Sequence, residues 1–253
     1  MSRTVAIHSF RRGAGKSSLT ANFATLLARG GRCVGIVDMD LAGPSQQSLF
    51  GIADSETPRT LNDFLWGNCA IEQTAVDLTP RLRADIGSAG KLFLVPASAE
   101  TADIERVLRG GYFIHLLHNG FDQLANSLGL DLLLVDTHAG LNPESLLALG
   151  ICDSTAILLR HDQSDYQGTA VTVDVARHLE VERITLIVNE APESFPHSHI
   201  QQQVSAAYGC EVIGVLPYSR EVAALSNGGI FALRRPQHPM TLALKDIAAK
   251  LAA

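Results

Sequence analysis

A chain of 253 residues with 46% hydrophobic and 18% charged residues has the make-up of a globular protein with a sizeable core, which excludes a disordered or fibrous chain. Its net charge of −6 excludes a global attraction to nucleic acid or anionic membrane and leaves only local basic patches for such contacts. Cys33, Cys69, Cys152 and Cys210 lie far apart without a C-x-x-C pair, which argues against a zinc ribbon or cluster scaffold and points to reduced thiols and a cytoplasmic location.

In chain order, the opening "MSRTVAIHSF" is too brief an apolar run for a signal peptide, and residues 3–9 read as a strand. A helix follows Ser17, with Leu19, Phe23, Leu26 and Leu27 on one face and Gly30-Gly31 at its end. Residues 33–38 are the second strand and 39–58 are irregular. Thr60 caps a short helix packed by Trp66. A second irregular stretch, 78–91, precedes the strand 91–97. Residues 106–129 carry apolar residues at helical spacing on either side of Gly110-Gly111. Strands follow at 131–136, 154–160, 183–189 and 211–217. Between them Asn142-Pro143 starts a helix, "RHDQSDYQG" (160–168) leads into another, and 190–198 is irregular.

Most of these strands are apolar on both faces, as parallel strands covered by helices are. Strand–helix alternation along the whole length predicts an α/β fold, a three-layer open sandwich with a mostly parallel sheet and helices on both faces, in one domain over residues 1–253. The final "MTLALKDIAAKLAA" reads as a helix packed on that sheet rather than a membrane anchor, and no stretch reaches the roughly 18 apolar residues of a membrane span.

Three motifs fall at strand ends. "SFRRGAGKSS" (9–18) sits between the first strand and its helix, the context a phosphate-binding loop requires, although Phe10 stands where the usual pattern has glycine. In that reading the backbone from Arg12 through Gly13, Ala14, Gly15, Lys16, Ser17 and Ser18 cradles the phosphates of a nucleotide, Lys16 reaches the β/γ oxygens, and the Ser17 hydroxyl joins a Mg²⁺ shell. With only four lysines against 16 arginines, a lysine at this place is less easily accidental. "VDMD" offers Asp38 and Asp40, one for a metal-bound water and one to orient an attacking water. "LLLVDTHAG" offers Asp136 for Mg²⁺ and the Gly140 amide for a γ-phosphate. Alone, each has a plain reading: a glycine turn feeding a helix, two solvated acids, a strand end. Together and in this order they favour nucleotide binding.

The ensemble resembles the MinD/ParA family of deviant Walker A ATPases, whose loop reads K-G-G-x-G-K-[ST]. "RRGAGKS" matches at Gly13, Gly15, Lys16 and Ser17, with Arg11 in the place of the signature lysine and Arg12 in that of a glycine. "VDMD", "VDTHAG", "LIVNEAP" and "GVLPYSREVAALSNGG" resemble later segments of the family, so the likeness covers essentially the whole chain. The resemblance implies an ATP-dependent homodimer and slow hydrolysis stimulated by a partner protein or cargo adaptor. It assigns Arg11 to the partner's phosphates, Asp40 to the water, Asp38 and Asp136 to the Mg²⁺ region, and Asn189, Pro217 and Tyr218 to adenine. Residues 160–168 are also expected at the dimer face. The arginines also read as a solvated basic turn.

Three functions remain open on this reading. The first is a dimerising switch that positions, partitions or regulates a cargo. The second is a nucleotide-binding regulatory or interaction protein with little or no turnover. The third is a cofactor or metal-centre maturation ATPase, since "DMDLAGPS" resembles the cluster-carrier branch, whose C-x-x-C this chain lacks. Arg220, Arg234, Arg235, Lys245 and Lys250 read equally as a weak non-specific DNA patch and as a solvated surface. His197 and His199 read as surface polarity rather than metal ligands, and His138 as a structural hydrogen-bonding residue.

Overall fold

The computed structural model describes residues 2–87, 89–110, 112–192, 194–225 and 229–253. Gly111 of the 106–129 stretch, residues 226–228 of "SNGG", Ser88 and Glu193 lie outside the described residues.

Short apolar runs at regular intervals form one sheet. Its strands are β1 (Arg3–His8), β2 (Cys33–Met39), β3 (Val76–Asp77), β4 (Lys91–Val95), β5 (Leu132–Thr137), β6 (Ser154–Arg160), β7 (Arg183–Ala191) and β8 (Glu211–Pro217), in the order β3-β4-β2-β5-β1-β6-β7-β8. Every pairing is parallel except the antiparallel edge pair β3–β4. The chain winds outward from β1 to one side and later crosses it to the other, so the order reverses at β1. The crevice beyond the strand ends at such a reversal is where open α/β sheets bind ligands.

The helices are α1 (Lys16–Arg29), α2 (Gln46–Phe50), α3 (Leu61–Leu65), α4 (Thr79–Ile86), α5 (Thr101–Leu108), α6 (Leu117–Leu128), α7 (Pro143–Ile151), α8 (Gln163–His178), α9 (His197–Tyr208), α10 (Arg220–Leu225), α11 (Phe231–Arg234) and α12 (Pro239–Leu251). They cover both faces of the sheet. Val5, Ile7, Leu134 and Leu158 pack with Phe23 of α1 and Leu244 and Ile247 of α12. Their sequence neighbours turn the other way, Ala6 and Leu133 toward Phe121 and Leu124 of α6, Ile157 and Leu159 toward Val173 of α8. Each of the larger side chains contributes about 1.5–3 kcal/mol by leaving water, which is why the strands carry no polar face.

Three local differences from the sequence reading have physical causes. The 106–129 stretch divides into α5 and α6 with a 3-10 turn at Ile114–Leu116 between them. Helix α4 occupies part of the irregular 78–91: Pro80 favours its first turn, but only Thr79, Leu82 and Ile86 are buried, too few to announce a period. Strand β3 has two residues and therefore no alternation to read.

Helix α12 lies on α1 and β8 with Met240, Leu244, Ile247, Ala248 and Leu251 buried. Its Lys250 also donates from Nζ to Ile213 O (2.9 Å), and Gln201 of α9 donates to Val212 O (2.8 Å). These bonds occupy carbonyls of the edge strand β8 that otherwise invite pairing with another chain. No helix among the described residues is long and apolar enough to cross a membrane.

Candidate nucleotide site

The loop between β1 and α1 is shaped by two glycines. Gly13 and Gly15 take φ of +80° and +92°, which side chains with a Cβ rarely adopt. A Cβ on Gly15 would also lie 2.6 Å from Asn189 Nδ2, whose amide donates to Ala14 O at 2.9 Å. Helix α1 begins at Lys16 with no side-chain cap and no acid in its first turn. Its free N–H groups and the positive end of its dipole therefore face outward as an anion site.

Lys16 is buried, and its ammonium donates to Ser9 Oγ (3.2 Å), which in turn donates to Arg11 O (2.7 Å). Burial lowers the Lys16 pKa, and Arg12 adds to that; the charges of Asp136 and Asp40 oppose it. Asp38 and Asp136 stand at paired positions on β2 and β5, both fully buried. Asp38 accepts the N–H groups of Asp40, Ser45 and Gln46 at 3.0–3.1 Å. Asp136 Oδ2 accepts from Gln46 Nε2 at 2.7 Å, while Asp136 Oδ1 is buried without a hydrogen bond. Burial pushes both carboxyls well above the usual carboxylate range. The Asp136 charge adds to the effect at Asp38; the Gln46 amide, the nearby Ser17 hydroxyl and Lys16 oppose it at Asp136. An orphaned, buried carboxylate oxygen beside a serine at a helix start is a donor set that suits a hydrated hard cation such as Mg²⁺.

Asp40 and the loop from Asp136 to Gly140 meet through His138, whose Nδ1 lies 2.7 Å from Asp40 Oδ1. Arg12 Nη2 lies 3.1 Å from Nε2 and 3.3 Å from Nδ1 of the same ring. The Gly140 N–H donates to Ser9 O (2.9 Å), so this amide is committed to the loop itself in this structure. Arg11 turns to its own α8, with Nη1 3.9 Å from Asp162 Oδ1 and Nε 3.7 Å from Asp165 Oδ1. Phe10 rests against Gly168 of the same helix, where a Cβ would overlap its ring.

A cavity of about 440 Å³ opens beside the loop, lined among others by Gly13, Gly15, Ser18, Asn189, Pro217 and Tyr218. The structure thus brings the residues expected near a base to one cavity. Lys16, Asp38, Asp40, Asp136 and Gly140 gather instead at the ends of β1, β2 and β5, and Arg11 points to α8. His197 and His199 are exposed, the four cysteines are free, and no group of three metal-ligating side chains occurs among the described residues. Arg220, Arg234, Arg235 and Lys245 are exposed.

Several site neighbours escape a sequence reading. Gln46 joins Asp38, Asp136 and Ser17 O, yet it sits in a stretch without periodicity, and only its place just after "VDMD" hints at it. Ser9, Asp162 and Asp165 act through partners distant in sequence.

A parallel sheet whose first strand feeds a glycine loop and an uncapped helix, with buried acids at two neighbouring strand ends, defines the P-loop NTPase class. More narrowly, the chain belongs to the ParA family, whose model, described as NUBPL iron-transfer P-loop NTPase, matches residues 1–252. It is similar to an uncharacterized ATP-binding protein of Methanocaldococcus jannaschii, 26% identical over 99% of this chain and 88% of the other. A shorter likeness, 48% identity over 62 residues, links 24% of this chain to 21% of an iron-sulfur cluster carrier protein of Pseudomonas fragi. Among solved structures, the septum site-determining protein MinD of Pyrococcus horikoshii, complexed with Mg-ADP, is similar over 99% of this chain and 96% of that one, with a TM-score of 0.80 and 20% identity.

Proposed function

We propose that the chain works as a single ATPase domain that binds ATP with Mg²⁺, hydrolyses it slowly in the cytoplasm, and dimerises with ATP to position, partition or regulate a cargo. The observation that carries this reading is the buried Lys16 ammonium beside an orphaned Asp136 oxygen at the head of an uncapped helix.

The loop amides from Arg12 to Ser18 and the Lys16 ammonium bind the phosphates. Asn189, Pro217 and Tyr218 hold the base in the cavity. Ser17, Asp136 and Asp38 hold Mg²⁺ directly or through water; when bound, it neutralises charge on the β/γ oxygens. Asp40 orients the attacking water. Positioning and charge stabilisation supply nearly all of such catalysis, which suits a timed switch stimulated by a partner protein. Arg11 leaves Asp162 and Asp165 for the second protomer's phosphates, a task its bidentate head can perform.

The test is phosphate release by wild type and Lys16→Ala, with and without Mg²⁺, beside binding of a fluorescent ATP analogue. Mg²⁺-dependent release lost in Lys16→Ala is expected. Tight binding by wild type without release would instead establish a regulatory protein without turnover.

A second reading, a metal-centre maturation ATPase, is favoured by the iron-transfer description of the family model and the local likeness to a cluster carrier. Its test is anaerobic reconstitution with iron and sulfide: a stoichiometric cluster, lost on substituting Cys33 or Cys69, supports it.

A further inference from the structure

We propose that His138 is a positioning residue that, together with Arg12, sets the Asp40 carboxylate for the attacking water; this inference rests on the ATPase reading above. His138 lies in the loop between Asp136 and Gly140, and that loop is fastened on both sides. On one side Thr137 Oγ1 donates to Ile7 O at 3.0 Å; on the other the Gly140 N–H donates to Ser9 O, and Ser145 Oγ donates to Gly140 O at 2.6 Å. The imidazole therefore has a set direction, with Nδ1 2.7 Å from Asp40 Oδ1.

Asp40 also selects the tautomer. A carboxylate only accepts, so Nδ1 carries the proton toward Asp40, while Arg12 Nη2 packs on the ring, 3.3 Å from Nδ1 and 3.1 Å from Nε2. The Asp40 N–H is tied to Asp38 Oδ1 (3.1 Å), which fixes its backbone as well. One carboxylate oxygen is thus occupied by His138. The other, Oδ2, takes no hydrogen bond among the described residues and is left for water.

Arg12 and His138 complete each other. Arg12 replaces a glycine of the loop pattern, and its head occupies the same small space as Asp40: a Cβ on Gly43 would lie 3.5 Å from Asp40 Oδ1 and 3.7 Å from Arg12 Nη1. The guanidinium packs on the imidazole whose Nδ1 meets Asp40, so its position is passed to the acid through the ring.

The test pairs two readouts. In the nucleotide-free protein, ¹⁵N NMR of the His138 ring should show the Nδ1–H tautomer, and Asp40→Ala should abolish that preference. In turnover, His138→Ala should lower kcat about tenfold, as a mispositioned group does. Its KM should stay within about twofold, because a group that acts in the transition state leaves ground-state binding alone. His138→Asn, which restores an amide donor near Nδ1, should recover much of kcat, and Arg12→Ala should add little to His138→Ala. An Nε2–H tautomer, or unchanged kcat in His138→Ala beside an active wild type, overturns the inference alone. A wild type that releases no phosphate overturns the ATPase reading, and the inference with it.

Discussion

Arg11 faces Asp165 of its own chain, Nε to Oδ1 3.7 Å, where the likeness to dimerising ATPases would send it across to a partner. The Arg11 side chain is 46% exposed, and an ion pair so placed contributes at most about 1 kcal/mol. Arg11→Ala should therefore leave thermal unfolding nearly unchanged while ATP-driven dimerisation is lost. A large loss of stability instead would give Arg11 a structural role.

Phe10 and Gly168 form a matched pair across the loop and α8. Because a Cβ on Gly168 overlaps the ring, Gly168→Ala should destabilise the fold by about 1–3 kcal/mol, the usual cost of overpacking. Phe10→Ala in the same chain should restore most of it, as chemical denaturation will show.

Gly15 combines a left-handed φ with a close approach to Asn189. Gly15→Ala must displace the amide that holds Ala14 O. Affinity for an ATP analogue should fall more than about tenfold, equivalent to 1.4 kcal/mol, in a titration where the protein remains folded by circular dichroism.

His8 lies wholly buried at the end of β1, its Nδ1 2.7 Å from Thr137 Oγ1 and its Nε2 without a hydrogen bond. The Thr137 hydroxyl donates to Ile7 O (3.0 Å), so it accepts from the Nδ1–H of a neutral ring. Burial, reinforced by the charge of Lys16, lowers its pKa from 6.5 to about 3. The unfolded chain then binds the proton more tightly than the folded one, so stability is lost as pH falls below 6.5. Between pH 7 and pH 5 this amounts to about 2 kcal/mol. Denaturation of wild type should show that slope, and His8→Asn, which keeps a donor for Thr137, should reduce it.

The parallel sheet, the α1 face and the glycine loop are legible in sequence because each repeats or uses residues with few other uses. Leu19, Phe23 and Leu27 mark a helix by spacing, and Gly13 and Gly15 mark a turn by backbone freedom. What is not legible is pairing across the sheet. Nothing in "PSQQS" says that Gln46 reaches Asp136, 90 positions away, or that Asp165 faces Arg11. Those contacts exist only once β1, β2, β5 and β6 lie side by side. His138 is legible as a residue of "LLLVDTHAG", but not as the link between Arg12 and Asp40, since each of the three comes from a different strand end.

Light scattering is the direct test of an ATP-dependent dimerising switch. The wild type and Lys16→Ala are measured with ATP, with ADP and without nucleotide. The mass of wild type should rise from 27.1 kDa to twice that value with ATP but not with ADP, while Lys16→Ala stays a monomer throughout. A wild type that binds ATP and keeps its monomer mass would contradict the switch.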